Sequence, residues 1–185
     1  MALPPAALRI CFCLLAFVPL LVVTISSPIW NQISFLDANI VGQDIHFGVF
    51  GYTGSAKLLG YPIDQLSTSS PIINSKAVHN LTYVLVLHPI SALLALVASA
   101  FGLFKYRVAM AICASLTMFV TLVIFVIDWV LFGILRNHLQ NQGYPATYGG
   151  AYYLIFGALV ALSGALWASR SDLFEVYNHH RNEKV

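Results

Sequence analysis

The sequence predicts a mainly α membrane protein: a bundle of four transmembrane helices carrying a small extracellular β-sheet in the first loop. Three observations lead there. The chain of 185 residues is 59% hydrophobic and 9% charged, with a mean hydropathy of +0.80. A soluble domain carries about 25% charged residues, so this chain could not cover a water-facing surface. Four segments, about 8–27, 81–104, 106–135 and 149–169, supply the apolar length of a span, roughly 20 residues. Between the first two lies a long polar loop, about 28–80, in which apolar residues alternate. The whole chain, 1–185, reads as one membrane domain with a short tail, 170–185. The net charge of +2 is too small a bias for a nucleic-acid partner.

The first segment has Arg9 ahead of an apolar core, and Thr24 and Ser26 weakly mimic a cleavage site. Its apolar run is long for a signal sequence, which favours a retained span over a signal peptide. Pro19 lies within it and is tolerated in membrane helices. In the loop that follows, Ile45, Phe47 and Val49 alternate with His46, Gly48 and Phe50, which predicts a strand ended by Gly51 and Gly54. Ile33 and Phe35 supply an opposing strand, with Asp37, Asn39 and Gly42 in the connection. Trp30 is placed to anchor at the membrane interface. For Trp30, Phe50 and Tyr52, local packing competes with a partner-binding surface. Asn80-Leu81-Thr82 matches the glycosylation pattern, but at the membrane boundary a glycan has little room, so Asn80 is expected to be unmodified.

The second and third spans are joined by the short turn Phe104–Arg107, which makes them antiparallel neighbours. Tyr144, Tyr148, Tyr152 and Tyr153 gather where the fourth span begins and Trp167 lies near its other end, an aromatic belt at both faces. Four spans put both termini on one side. If that side is the cytoplasm, Arg9, Lys105, Arg107, Arg170, Arg181 and Lys184 lie inside and Lys57, Lys76 and Arg136 outside, six against three, as the positive-inside rule requires. Cys11, Cys13 and Cys113 all fall in apolar runs and are expected to be small buried hydrophobes.

Asp128, in the middle of Phe125–Gly133, is the residue that needs explaining. A charge at the centre of a span costs about 2.5–3.5 kcal/mol on insertion scales. Ala114, Thr117, Thr121 and Asp128 share one face of their helix, opposite Val123, Ile127 and Val130. On the second span His88, Ala92, Ala95, Ser99 and Gly102 form a matching small-residue face. His88 lies seven residues in from Leu81 and Asp128 seven in from Leu135, so both sit about 10 Å below the outer boundary. His88 is therefore the expected partner of Asp128. Pro89 cannot donate a backbone hydrogen bond, which frees the carbonyl of Leu85 as a nearby acceptor. The pair reads as a buried contact fixing helix register. A protonation switch, or a partner such as Arg136, are the alternatives. Gly157, Ala161, Gly164 and Ala168 give the fourth span a small-residue face for bundle packing or for a dimer.

No catalytic, cofactor-binding or metal site is predicted. His88, Asp128, Arg136 and His138 do not assemble an acid, base and nucleophile, and a metal needs three or four ligands. A transporter would need more intramembrane polar residues or broken helices.

The segments TISSPIW, HFGVFGY, LHPISALLALVASAFGLF, FVIDWVLFGILRN and YGGAYYLIFGALVAL, in that order, resemble the fungal PalI-type pH-response regulators. These belong to a wider set of claudin-like four-span fungal membrane proteins that includes eisosome components. The resemblance covers about 8–167. Trp30 followed by Gly48-Val49-Phe50 is also similar, more weakly, to the first-loop signature of animal claudins. Thr53 stands where fungal relatives often carry a cysteine, so the loop disulfide of claudins is missing, and the long polar tail of many filamentous-fungal relatives is not seen before Val185. The resemblance implies a multi-pass plasma-membrane protein with both termini cytoplasmic. Its implied work is that of a non-catalytic accessory subunit or chaperone for another integral membrane protein, an alkaline-pH receptor of the PalH kind. The alternative is a structural protein that organises membrane domains or supports the cell wall by lateral self-association. The implied contact elements are the small-residue helix faces and the loop residues Trp30, Gly48, Val49, Phe50, Gly51 and Tyr52.

Overall fold

The computed structural model describes residues 5–40, 42–55 and 76–182. Lys57 and Lys184, which enter the charge bias above, lie outside the described residues. The elements run α1 (Pro5–Thr24), β1 (Leu36–Ile40), β2 (Gln43–Phe47), α2 (Lys76–Val84), α3 (Leu87–Leu103), α4 (Arg107–Asn141), β3 (Ala146–Tyr148) and α5 (Ala151–Asn182). Among the described residues, four helical stretches are long and apolar enough to cross a membrane: Ala7–Thr24, Asn80–Leu103, Arg107–Asn141 and Ala151–Ser169. They pack in a ring, α1 against α3 and α5, α4 against α3 and α5.

Local chemistry explains the joints. Pro19 lies within α1 without ending it. Pro89 has no N–H to offer the carbonyl four residues back, and the chain breaks there: α2 stops at Val84 and α3 starts at Leu87. Short-range bonds bridge the gap, Leu85 N to Thr82 O at 3.3 Å and Val86 N to Tyr83 O at 3.2 Å. The predicted single helix is thus two segments of one span. At its far end α3 closes in a Schellman turn: Lys105 N donates to Gly102 O at 3.2 Å and Tyr106 N to Phe101 O at 3.0 Å. Lys105 takes the left-handed position there, φ +63°, where glycine is usual.

Two expectations about the loops need correction. Asp37 and Asn39, read as a connection, lie within β1, paired with His46 and Asp44 across the hairpin. The turn is tighter than expected and lies between Ile40 and Gln43, with Gly42 at φ +79°. The second loop, 136–148 between the third and fourth predicted spans, is also shorter than expected, because α4 runs on to Asn141 and the chain then adds a third strand. The sheet order is β2-β1-β3, all antiparallel, with Leu36 opposite Tyr148. The second loop therefore supplies an edge of the first loop's sheet.

The core changes character along the bundle. Beneath the sheet it is large and aromatic, with Phe35, Leu36, Phe47, Leu85, Leu131, Phe132, Leu135 and Ile155. Farther down it is alanine-rich: Ala16, Ala92, Ala95, Ala158 and Ala161, then Ala98, Ala114 and Ala165 around Cys13 and Met110. Bilayer lipid is as apolar as leucine, so small residues bring the helices together by close van der Waals contact. Gly157 departs from the predicted packing face: it is exposed, and the buried positions of α5 include Ile155, Ala158, Ala161, Leu162, Ala165 and Ala168. Val123 and Ile127, predicted to face lipid, are half-buried, whereas Leu122, Val126 and Val130 are exposed. Cys11 is likewise exposed, Cys13 buried and Cys113 half-buried, all as free thiols.

Two glycines give a contrasting prediction. A Cβ at Gly48 would overlap the backbone of Ser27, whereas one at Gly157 meets no atom within 4 Å. Gly48→Ala should lower the melting temperature of the detergent-solubilised protein by several degrees. Gly157→Ala should leave it unchanged or raise it, since alanine in a helix is favoured by about 0.5–1 kcal/mol.

Candidate functional site

His88 and Asp128 meet just beneath the sheet. His88 is the second residue of α3 and Asp128 lies on the facing side of α4. Each is about 1% exposed, and Nε2 of His88 stands 3.2 Å from Oδ2 of Asp128. Nδ1 of the same ring lies 3.1 Å from the carbonyl oxygen of Leu85, which Pro89 cannot bond and which also accepts from His88 N at 3.0 Å. A carbonyl only accepts, so Nδ1 carries a proton and donates. In a neutral ring Nε2 would then be a lone pair facing a carboxylate lone pair, which repels. The contact is attractive only with a proton between Nε2 and Oδ2, as imidazolium with carboxylate or as imidazole with carboxylic acid. Both arrangements are neutral overall, which is what a water-free bundle tolerates.

The contact is not ideally aligned. Its separation is that of an ion pair, but its angles fall short of a hydrogen bond, and Oδ1 of Asp128 finds no donor among the described residues. Nearby hydroxyls are committed elsewhere. Thr117 and Thr121 donate to Cys113 O at 2.8 Å and Thr117 O at 2.7 Å on their own helix, and Ser91 donates to His88 O at 2.8 Å. The polar face of α4 predicted from sequence is buried, yet these threonines serve their own backbone.

Aromatic rings close the site from the sheet side. Phe35 meets the His88 ring edge-on at 5.3 Å, stacks on Phe132 at 4.9 Å and meets Tyr152 at 5.6 Å. Backbone bonds hold Phe35 on both sides: its N–H donates to Phe47 O at 2.8 Å and its carbonyl accepts from Gly149 N at 3.0 Å. Ser34 O accepts from Ala151 N at 3.0 Å, tying the same segment to the start of α5. Tyr152, read from sequence as part of an interfacial belt, instead turns inward, 7% exposed, and its hydroxyl donates to the backbone carbonyl of Asp128 at 3.0 Å. Tyr153 remains outward at 81% exposed. Sequence reasoning missed both Phe35 and Tyr152 as parts of this site. Arg136, the alternative partner for Asp128, is engaged with the second loop, donating to Ala146 O at 3.3 Å with its guanidinium 4.9 Å from the Tyr148 ring centre.

The loop residues offered as a contact surface divide. Gly48, Val49 and Gly51 are buried and belong to the loop's own packing. Gly48 N donates to Gly51 O at 2.8 Å and Val49 N to Ser26 Oγ at 3.0 Å. Phe50 and Tyr52 are half-buried, Tyr52 against Phe47. Trp30 alone of the six is exposed, at 44%. Thr53 binds His46 twice, through its N–H to His46 O at 3.0 Å and through Oγ1 accepting from His46 N at 3.1 Å. Asp37 accepts from Ser34 Oγ and from His46 Nδ1, the latter at 2.7 Å. Hydrogen bonds thus stitch the loop where a disulfide is missing.

Residues 1–168 match the model of the SUR7/PalI family. The chain belongs to that family. No curated protein and no solved structure matches it. Family membership and the four apolar helices together establish a multi-pass membrane protein of the SUR7/PalI family. Among the described residues no three His, Cys, Asp or Glu side chains gather as metal ligands.

Proposed function

We propose that this SUR7/PalI protein is a non-catalytic plasma-membrane subunit that accompanies another integral membrane protein. The partner class suggested by the PalI resemblance is an alkaline-pH receptor of the PalH kind. The observation that carries this reading is the enclosure of His88 and Asp128. At about 1% exposure beneath Phe35 they are shut off from water and from any substrate, so their work is to set the helix register. The outer surface is then the part left to meet a partner. With both termini in the cytoplasm, as the charge bias suggests, the sheet and Trp30 face outward.

Capture of the intact chain from membranes in mild detergent tests this. A multi-span partner should co-purify, and Trp30→Ala should reduce its recovery several-fold without changing the melting temperature. Recovery of homo-oligomers alone would refute the accessory role. It would favour the second reading, lateral self-association, which draws on the exposed Gly157 of α5 between Phe156 and Val160, itself exposed, where a neighbouring helix could approach closely.

A further inference from the structure

In the half of the bundle opposite the sheet, a groove of about 440 Å³ opens between α4 and α5. Ser115 and Met118 line it from α4, and Ser163, Leu166, Trp167 and Ser169 from α5. Ser115 and Ser163 are exposed, although Ile112, Leu116, Phe119 and Val160 around them on the outer surface are all apolar. Hydroxyl groups therefore stand where the bundle meets hydrocarbon. Each serine already donates to its own helix: Ser115 Oγ to Ala111 O at 2.9 Å, Ser163 Oγ to Val160 O at 2.7 Å and Ser169 Oγ to Ala165 O at 2.8 Å. A hydroxyl has one hydrogen and two lone pairs, so what these three have left to offer is acceptor oxygen. The rim of the same groove carries the opposite. Trp167 is 76% exposed, and its indole N–H only donates.

We infer that this surface pairs two copies of the chain, the Trp167 ring of each entering the groove of the other and donating to a serine oxygen there. Copies inserted the same way round in a membrane are related by a twofold axis along its normal, so residues at one depth meet. The depths agree. At about 1.5 Å per residue, Ser163 lies roughly 9 Å inside the span's end at Ser169, and Ser115 roughly 12 Å from the start of α4 at Arg107. Trp167 branches from α5 only about 3 Å inside that end. Helical side chains lean toward the N-terminus of their helix, which for α5 is the sheet end, so the indole rises toward the level of Ser163. A twofold interface must be complementary to itself. A knob with a donor beside a hole with acceptors meets that demand. It also answers the setting, since no water is at hand in hydrocarbon to satisfy either group. An acyl chain would fill the groove but brings no donor to the serines and no acceptor to the indole. The sheet and Trp30 lie at the other end of the bundle and stay open, so the pairing goes beyond the accessory role and does not depend on it.

The test uses the full chain, labelled at its N-terminus with donor or acceptor fluorophores and reconstituted together in phosphatidylcholine vesicles. The expected result is energy transfer that falls along a monomer–dimer curve as lipid is added. Trp167→Ala should weaken the dimer about tenfold or more, the loss expected for a large buried side chain. Trp167→Phe keeps an aromatic ring and removes the N–H, and should weaken it about threefold, as for an average hydrogen bond between membrane helices. Ser115→Ala with Ser163→Ala should cost about the same, and combining these with Trp167→Phe should cost little more, because both remove one bond. Ser163→Leu fills the groove and should act as Trp167→Ala does. Ser115, Ser163 and Trp167 are exposed in the single chain, so melting temperatures at high dilution should be unchanged. Trp30→Ala should leave the dimer intact, which separates this surface from one that meets another protein. Transfer no greater than random encounter gives would overturn the pairing. Transfer that persists in Trp167→Ala and Ser163→Leu but is lost in Gly157→Leu would overturn it as well, by placing the contact higher on α5. Full additivity of the Trp167→Phe and serine losses would overturn the bond between indole and hydroxyl on which the assignment rests.

Discussion

Truncating either member of the buried pair is expected to destabilise the bundle, and truncating both is expected to do no further harm. With Asp128→Ala, Nε2 of His88 loses the group it faces at 3.2 Å. With His88→Ala, a carboxyl group already lacking a donor at Oδ1 loses its remaining neighbour. An unpaired buried polar group costs about 1–3 kcal/mol, so each single variant should unfold in detergent at a clearly lower temperature. In the double variant both orphans are gone and only small voids remain. Strictly additive losses would mean that the two side chains do not act as a pair. Asp128→Asn separates two roles for the shared proton. An asparagine amide donates to the Nε2 lone pair while Nδ1–H stays on Leu85 O, so the contact survives without a transferable proton. Stability close to the parent's would assign the pair to helix register. A loss as large as that of Asp128→Ala would show that a shared proton is needed to hold the bundle.

This geometry was legible in the sequence because membrane helices translate spacing into depth. Pro89 marks the carbonyl of Leu85, which it cannot bond, the small residues Ala92, Ala95 and Ser99 mark the inward face, and equal offsets from the span ends put His88 and Asp128 on one level. In a water-soluble protein the same spacing would say less, because an aspartate there can simply face solvent.

The covering of the pair was not legible. Phe35 and Tyr152 look like any other apolar or interfacial aromatic in the sequence. The pairing of β1 with β3, from Leu36 opposite Tyr148 to Ala38 opposite Ala146, brings the first loop over the second, and a three-residue strand such as β3 leaves no period to read. The end of α4 was hidden for a related reason. Hydropathy falls after Leu135, which marks the end of an apolar run but not the end of a helix, and Arg136–Asn141 continue the helix on residues that are polar except for the buried Leu139. Burial of Gly48 was hidden too. A glycine chosen because another backbone presses on it reads the same as one chosen for an exposed turn.

Phe35→Ala should be among the most damaging single changes outside the pair. Removing a fully buried phenylalanine costs about 3–5 kcal/mol, and Phe35 is 0% exposed and in ring contact with His88, Phe132 and Tyr152. The consequence goes beyond packing, because the ring is what separates Asp128 and His88 from the loop side. Water admitted there would solvate the carboxyl group. Asp128 should then become reactive toward a water-soluble carbodiimide, which should not modify it in the parent. Phe35→Leu refills most of the volume and should restore both stability and protection. Gly149→Ala approaches the same state from the opposite side. A Cβ at Gly149 would overlap the carbonyl and hydroxyl of Ser34, so β1 must lift and carry Phe35 with it. Mass spectrometry of labelled peptides reads both variants. Modification of Asp128 in Phe35→Ala and Gly149→Ala, but not in Phe35→Leu, is the expected pattern. If Asp128 stays unmodified in the alanine variants while their stability falls, Phe35 is only a packing residue and the sheet does not seal the pair.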